Sequence, residues 1–350
     1  MVNQSSQFHT FQQQAVDSNT PTARLVELAR TSAELAQLVA TNPTTPPQLL
    51  QELAESRDAT TRKNVTMNPN TPSEVLLRLA WEFPGELLNN PIFALLLLEN
   101  PNLFDDMPRH TLERLLKYEY EIEPSTTINT QATEYQGLIP EYCLQQLANP
   151  QKDLTRRCLV AKHLYTPAYL LEKLAKDEMY VRMAVALNRN APVYLMEKLA
   201  QDREWRVRDG IAMNRNTPVE LLEKLAQDEC TFVRESIGRN TSTPIWLLQQ
   251  LAEDKAWHSR GGVARNPKTP VELLEKLARD KDRYVRKGVA ENLITPGYLL
   301  LKLAQDEYWY VRISVAENPH TPAEIIKKLA QDSELEVRNS ARRYRNVFSI

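Results

Sequence analysis

Residues 217–228 read TPVELLEKLAQD and residues 269–280 read TPVELLEKLARD. Near-identical dodecamers 52 residues apart mark an internal repeat, and a repeat governs every later reading of a chain. Working outward, the same frame returns at Pro167, Pro192, Pro218, Pro244, Pro270, Pro296 and Pro322, spaced by 25 and then by 26 residues. The seventh and eighth residues after each proline are Leu-Ala, from Leu174-Ala175 to Leu329-Ala330. The pair also follows Pro21, Pro46, Pro72 and Pro140, which makes eleven copies.

Each copy reads as two short helices. In Thr217-Pro218-Val219-Glu220 the threonine is an expected N-cap, the proline the first helical residue and the glutamate the closing member of a capping box. Leu221, Leu222, Leu225 and Ala226 then fall on one helical face, with Glu223 and Lys224 turned outward. A second helix carries Val233, Ile237 and Gly238 inward, and Asn240 after it suits a left-handed C-terminal turn. Leucines alternating at period two, which a strand would need, are absent. A 26-residue helix pair cannot bury its apolar face alone, but stacked copies can. The expected fold is therefore all-α, an α-solenoid of about eleven two-helix repeats.

Composition agrees. Eight glycines in 350 residues are too few for a turn-rich β-sandwich or a glycine-loop nucleotide fold, since roughly 7% is usual. The formal charge of −2 gives no overall field toward nucleic acid or an anionic membrane. The longest apolar run is seven residues, Ile92 to Leu98, against the ~18 of a membrane span. No basic, apolar leader opens the sequence. The odd set Cys143, Cys158 and Cys230 has no CxxC spacing, so neither a disulfide nor a zinc framework is expected, and the location expected is cytoplasmic.

The TPVELLEKLAQD-type strings, the recurring Val-Arg pair and the junctions Asn266-Pro267 and Asn318-Pro319 resemble the variant leucine-rich repeat family and, more distantly, HEAT-like repeats. The resemblance covers most of the chain, and it specifies architecture far better than function. It implies a right-handed superhelix in which one helix of each pair is a short 3₁₀ segment. Some relatives hold an iron–sulfur cluster on clustered cysteines. The cysteines here are scattered, so no cofactor is carried over.

Four regions are expected. Residues 1–19 are polar and Gln-rich, a flexible arm; 20–80 hold the N-terminal repeats; 81–139 form an irregular, acidic, leucine-rich helical insert with a loop at 125–137; 140–350 form the regular solenoid. Residues 81–150 contain eleven acids and three bases, net −8, and the remainder is net +6. The last stretch, with Arg338, Arg342, Arg343 and Arg345, reads as a basic terminal cap or a docking patch.

Three columns recur within the repeat. Arg182, Arg208, Arg234, Arg260, Arg286, Arg312 and Arg338 march with Asp177, Asp202, Asp228, Asp254, Asp280, Asp306 and Asp332. Their shared period favours a structural ladder, with aspartates capping second helices and pairing within or between repeats, over a cationic stripe for an anionic ligand. Ala184, Gly210, Ser236, Gly262, Gly288, Ser314 and Ser340 are small, as close helix approach requires. Tyr180, Trp205, Phe232, Trp257, Tyr284, Trp309 and Tyr310 stand one or two residues before the position that is usually the valine of the Val-Arg pair. These rings either wedge between repeats or line a half-exposed binding surface, the residue types of interaction hot spots.

His9, His110, His163, His258 and His320 share no column and no metal-binding spacing, and no nucleophile–base arrangement can be assembled. The expected role is thus a non-enzymatic scaffold that binds a protein partner. The alternative is a HEAT-like nucleic-acid binder or a DNA-base glycosylase-like enzyme, which the near-neutral charge disfavours.

Overall fold

The computed structural model describes residues 2–100, 102–121 and 139–348, and every element assigned among them is an α-helix. The chain divides into two compact units, Met1–Pro167 and Ala168–Ile350, each an α-helical repeat stack. The expected loop 125–137 lies outside the described residues.

In Ala168–Ile350, seven repeats each pair a seven-residue first helix, such as Val219–Leu225, with a second helix. Six of those second helices have nine residues, as in Thr231–Arg239, and the last, Leu335–Phe348, has fourteen. The apolar positions go inward: Leu221, Leu222, Leu225, Val233 and Ile237 are all buried. Each such side chain contributes about 1.5–3 kcal/mol on burial. Second helices pack against the second helices of adjacent repeats, Thr231–Arg239 against Trp257–Arg265 and that against Arg283–Glu291. In the last helix Val337 and Ala341 are buried, while Arg342 and Arg343 are exposed. Both helices of a described repeat are α-helical, so the 3₁₀ segment implied by the family resemblance is not found among the described residues.

Local geometry departs from the sequence reading at the start of the first helix and at the end of the second. Proline, not threonine, is the N-cap: Pro218 has φ −57° and ψ 148°, and its carbonyl accepts from Leu221 and Leu222. The threonine hydroxyl works backward instead. Thr217 Oγ1 donates to the carbonyl of Ile211 at 2.6 Å, and Thr243 and Thr269 repeat the bond to Ile237 and Val263. It thereby satisfies one of the carbonyls that a helix end leaves unpaired. Nor is Asn240 left-handed, with φ −66° and ψ 123°. It is buried because its amide is needed one repeat back, where Nδ2 donates to the carbonyls of Ala212 and Asn214 at 2.8 and 3.0 Å. Asn214, Asn266, Asn292 and Asn318 make the same pair of bonds. A buried amide is costly unless its hydrogens are used, and here both are.

Met1–Pro167 corrects the expected boundaries. Residues Val2–Val16 form a helix, not a flexible arm. Phe8, Phe11 and Ala15 form a short apolar stripe at helical spacing, and it packs on the core containing Leu25, Leu28, Leu35 and Val39. Asn42 Nδ2 ties this helix down by donating to the carbonyls of Ala15 and Asp17. The period breaks where Pro84–Leu88 replaces a nine-residue second helix with five residues. Asn90 nevertheless keeps its place, donating back to Thr66 and Asn68. Helices Phe93–Glu99, Leu103–Asp106 and Arg109–Glu121 follow. The repeat at 140–167 belongs to this unit rather than to the C-terminal stack, because Glu141–Leu147 packs on Leu103–Asp106 and Leu154–Lys162 on Arg109–Glu121. Cys143 fills a leucine position there, and burial pushes its thiol up to about 11, which makes it a poor nucleophile.

Candidate interaction surface

Two columns of Ala168–Ile350 converge on the N-terminal turns of the second helices. The first is ionic. Arg234 donates from Nε and Nη2 to the two carboxylate oxygens of Asp254 in the next repeat, at 2.7 and 3.2 Å. Its Nη1 donates to the backbone carbonyl of Asp228 in its own repeat at 2.6 Å. The pattern runs unbroken through Arg182–Asp202, Arg208–Asp228, Arg260–Asp280, Arg286–Asp306 and Arg312–Asp332. Arg338 meets the carbonyls of Asp332 and Ser333. Asp177 stands at the head of the column, its carbonyl accepting from Arg182. Each paired aspartate also takes the amide two residues on, as Asp254 Oδ1 does from Ala256 at 2.8 Å, and so fixes the turn that starts the second helix.

These charges are largely buried and closely matched. Burial alone raises the carboxyls of Asp202, Asp254 and Asp280. The hydrogen bonds from Arg182, Arg234 and Arg260, together with backbone amides, more than reverse this and hold all three below the ordinary value. Asp332 is lowered chiefly by its hydrogen bond from Arg312. The partner arginines are raised, first by the aspartate hydrogen bond. With Nε, Nη1 and Nη2 all donating along this spine, these guanidinium groups are committed to bonds within the stack.

The second column is aromatic, and it is organised more tightly than the sequence suggested. Trp205 stacks on Phe232 of the next repeat, with centroids 5.5 Å apart and planes at 29°. Phe232 meets the edge of His258 at 5.1 Å, and His258 lies on Trp257 at 3.7 Å. Trp257 stacks on Tyr284 at 4.9 Å, and Tyr284 on Tyr310 at 5.9 Å. Trp309 stands edge-on to Tyr310 at 5.7 Å. One line of rings therefore crosses five successive repeats at the first turns of their second helices. Phe232, Tyr284 and Trp309 are exposed, whereas Trp205, Trp257 and Tyr310 are half-buried.

Tyr180 is not part of the line. Arg206 occupies its position in the next repeat, with the guanidinium over Trp205 at 4.6 Å. Tyr180 instead borders an open cavity of about 670 Å³ with Met179 and Arg203. Sequence reasoning missed His258, Arg206, Arg283 and Tyr308. Arg283 lies 5.1–5.4 Å from the rings of Tyr284, Tyr308 and Tyr310. The signal was available, since the second residue of each second helix runs Tyr180, Arg206, Phe232, His258, Tyr284, Tyr310. A search confined to aromatics passes over the cation and the imidazole. A further exposed set, Tyr194, Trp246 and Tyr298, stands two residues after the repeat prolines on the first helices. Tyr194 and Tyr298 donate their hydroxyls to Glu172 and Glu275 of the preceding repeats.

The small-residue column lets the second helices come close enough for the rings to meet. A Cβ placed on Gly262 would lie 2.3 Å from the carbonyl oxygen of Glu235, and one on Gly210 2.8 Å from Cβ of Ala186. Among the described residues no helix is long and apolar enough to cross a membrane.

Residues 9–67 match the family model described as the Leucine Rich Repeat Variant domain, and residues 257–282 and 309–334 match the one described as Leucine rich repeat variant. Among solved structures, the chain is similar to "a leucine-rich repeat variant with a novel repetitive protein structural motif". That similarity has 29% identity and a TM-score of 0.39, over 57% of this chain and 79% of that one. No curated protein matches the chain.

Proposed function

We propose that this chain, which carries variant leucine-rich repeats at 9–67, 257–282 and 309–334, is a non-enzymatic cytoplasmic scaffold that holds an extended segment of a partner protein along its ring line. The observation that carries the reading is the use of the ring faces. Trp205, Phe232, Trp257, Tyr284 and Tyr310 turn their faces to one another or to His258, Arg206 and Arg283. A nucleobase binds such a platform by stacking on an open face, and the faces of these five rings are already engaged with neighbouring rings or guanidinium groups. What the line offers to a visitor is ring edges, which carry the positive end of the aromatic quadrupole, flanked by two guanidinium groups. Peptide carbonyls and carboxylates, arrayed along an extended chain, complement such a strip. The rings and arginines are already ordered by their neighbours, so docking costs little side-chain entropy.

Phe232→Ser combined with Tyr284→Ser tests the reading, because both rings are exposed and their loss spares the buried core. The full chain and the variant, matched for thermal unfolding, are used as baits for cross-linked partners. A partner protein held by the wild type and released by the variant is the expected result. Equal recovery by both, or a single-stranded oligonucleotide bound through these rings, would discard the reading.

A further inference from the structure

The region where the repeat breaks down encloses a cavity that the ladders do not use. It has a volume of about 580 Å³ and lies in the unit Met1–Pro167, between the end of Ser73–Leu79, the short Pro84–Leu88 and Arg109–Glu121. His110, Arg114 and Lys117 line it at i, i+4 and i+7, one face of their helix. Opposite them stands Trp81, a residue 47% exposed. His110 meets that ring edge-on at 5.2 Å, and the Arg114 guanidinium lies over it at 4.9 Å.

Charge accounting singles out the two outer cations. Glu86 is paired with Lys63 at 3.1 Å, Glu82 with Arg62, and Glu113 with Arg109 at 3.0 Å. Among the described residues Arg114 and Lys117 have no carboxylate partner. A segment that is net −8 over 81–150 thus presents two unneutralised positive charges beside an exposed indole. We propose that this cavity binds a single carboxylate carried on an aromatic or large apolar body. Arg114, held against the indole by its cation–π contact, offers its N–H groups in the fork that matches a carboxylate, and Lys117 adds a second charge. Trp81 and Phe83 cover the apolar body. With only Arg114 and Lys117 left unpaired and the ion-paired Glu82, Glu86 and Glu113 also on the lining, the site suits a single negative charge better than a phosphate dianion. The carboxylate has two sources of identical chemistry, a free aromatic acid and the end of a peptide chain. The site is independent of the ring line in the other unit.

Calorimetric titration of the full chain separates these cases with four probes: N-acetylphenylalanine, phenylacetate, N-acetylphenylalaninamide and inorganic phosphate. Saturable binding of a carboxylate is expected, weakened about tenfold or more by Arg114→Gln. Lys117→Gln should weaken it less, and the amide should bind to neither protein. Tighter binding of N-acetylphenylalanine identifies a chain end, and tighter binding of phenylacetate a free acid. Arg114 and Lys117 are exposed, so both variants keep the fold, which thermal unfolding checks. The proposal is overturned if neither carboxylate binds, if the amide binds as well as the acid, if phosphate binds more tightly, or if Arg114→Gln changes nothing.

Discussion

Arg234 serves four oxygens in two repeats, and its geometry separates two couplings that the sequence could not tell apart. The side-chain bonds go forward to Asp254, whereas Asp228 in the same repeat receives Nη1 only on its backbone carbonyl. A double-mutant cycle on Arg234→Ala and Asp254→Ala should therefore give a coupling of about 1.5–3 kcal/mol, the range for charge-assisted bonds. The cycle on Arg234 and Asp228 should stay below about 0.5 kcal/mol, because truncating Asp228 leaves its carbonyl in place. Urea denaturation of the singles and doubles measures both. The aspartates also differ in the sign of their pH dependence. Asp202, Asp254, Asp280 and Asp332 are held below 3.8. Their contribution is complete above that unfolded value and is lost as the pH falls through the lower folded values. Asp209 is the opposite case. Burial first, then the nearby Glu235 and Asp228, raises it, and its Oδ1 is buried without a partner. Its ionised form costs stability as the pH rises above 3.8. At pH 7 Asp254→Asn should accordingly lower the unfolding temperature and Asp209→Asn should raise it. Movement of both in one direction would refute the assignment.

At the scale of the helix, two neighbouring glycines make a controlled comparison. Gly262 faces the preceding second helix, where a methyl group would lie 2.3 Å from the backbone oxygen of Glu235. Gly261 meets nothing closer than the Arg265 side chain at 3.3 Å. Gly262→Ala should destabilise by about 1–3 kcal/mol or more, as overpacking against backbone does. Gly261→Ala should be neutral or stabilise by up to about 1 kcal/mol through helix propensity. Thermal unfolding of the two variants decides, and equal effects would mean that the helices are not in this register. The helices themselves were legible because leucine spacing and the proline frame report burial directly. Their ends were not. Thr217 and Asn240 have sequence preferences that fit a cap and a left-handed turn, yet both are spent on carbonyls six and more than twenty residues away. Local propensity carries no trace of a bond made to the preceding repeat. The ring line was half legible for a similar reason. The positions followed from the period, but the joining of Trp205 to Phe232 and the exclusion of Tyr180 depend on where the next repeat places its side chains.

For the molecule as a whole, the repeat number and the all-helical architecture could be read from the chain, and the partition into units could not. The division at Pro167 arises because the repeat from Pro140 packs on the irregular helices before it, a choice made by tertiary contacts where the proline spacing shifts by only one residue. The helix Val2–Val16 was hidden in the same way, since three apolar residues in a glutamine-rich stretch suffice once a repeat face waits to be covered. Within Ala168–Ile350 the polar links described between repeats join adjacent ones: asparagine amides reach one repeat back, and arginines reach one repeat forward. Such a stack behaves as a chain of nearest-neighbour terms, and a local defect should spread with distance-dependent loss. Gly262→Ala places the defect at Trp257–Arg265. Hydrogen exchange should then lose the most protection in that helix and in Thr231–Arg239. The loss should be smaller in Trp205–Met213 and Arg283–Glu291, and smallest in Met179–Leu187. The innermost pair should exchange more than about tenfold faster, the equivalent of ~1.4 kcal/mol in opening free energy. Uniform acceleration across all seven second helices would instead mean that the ladders bind the repeats into one all-or-none unit. The nearest-neighbour account would then fail for this stack.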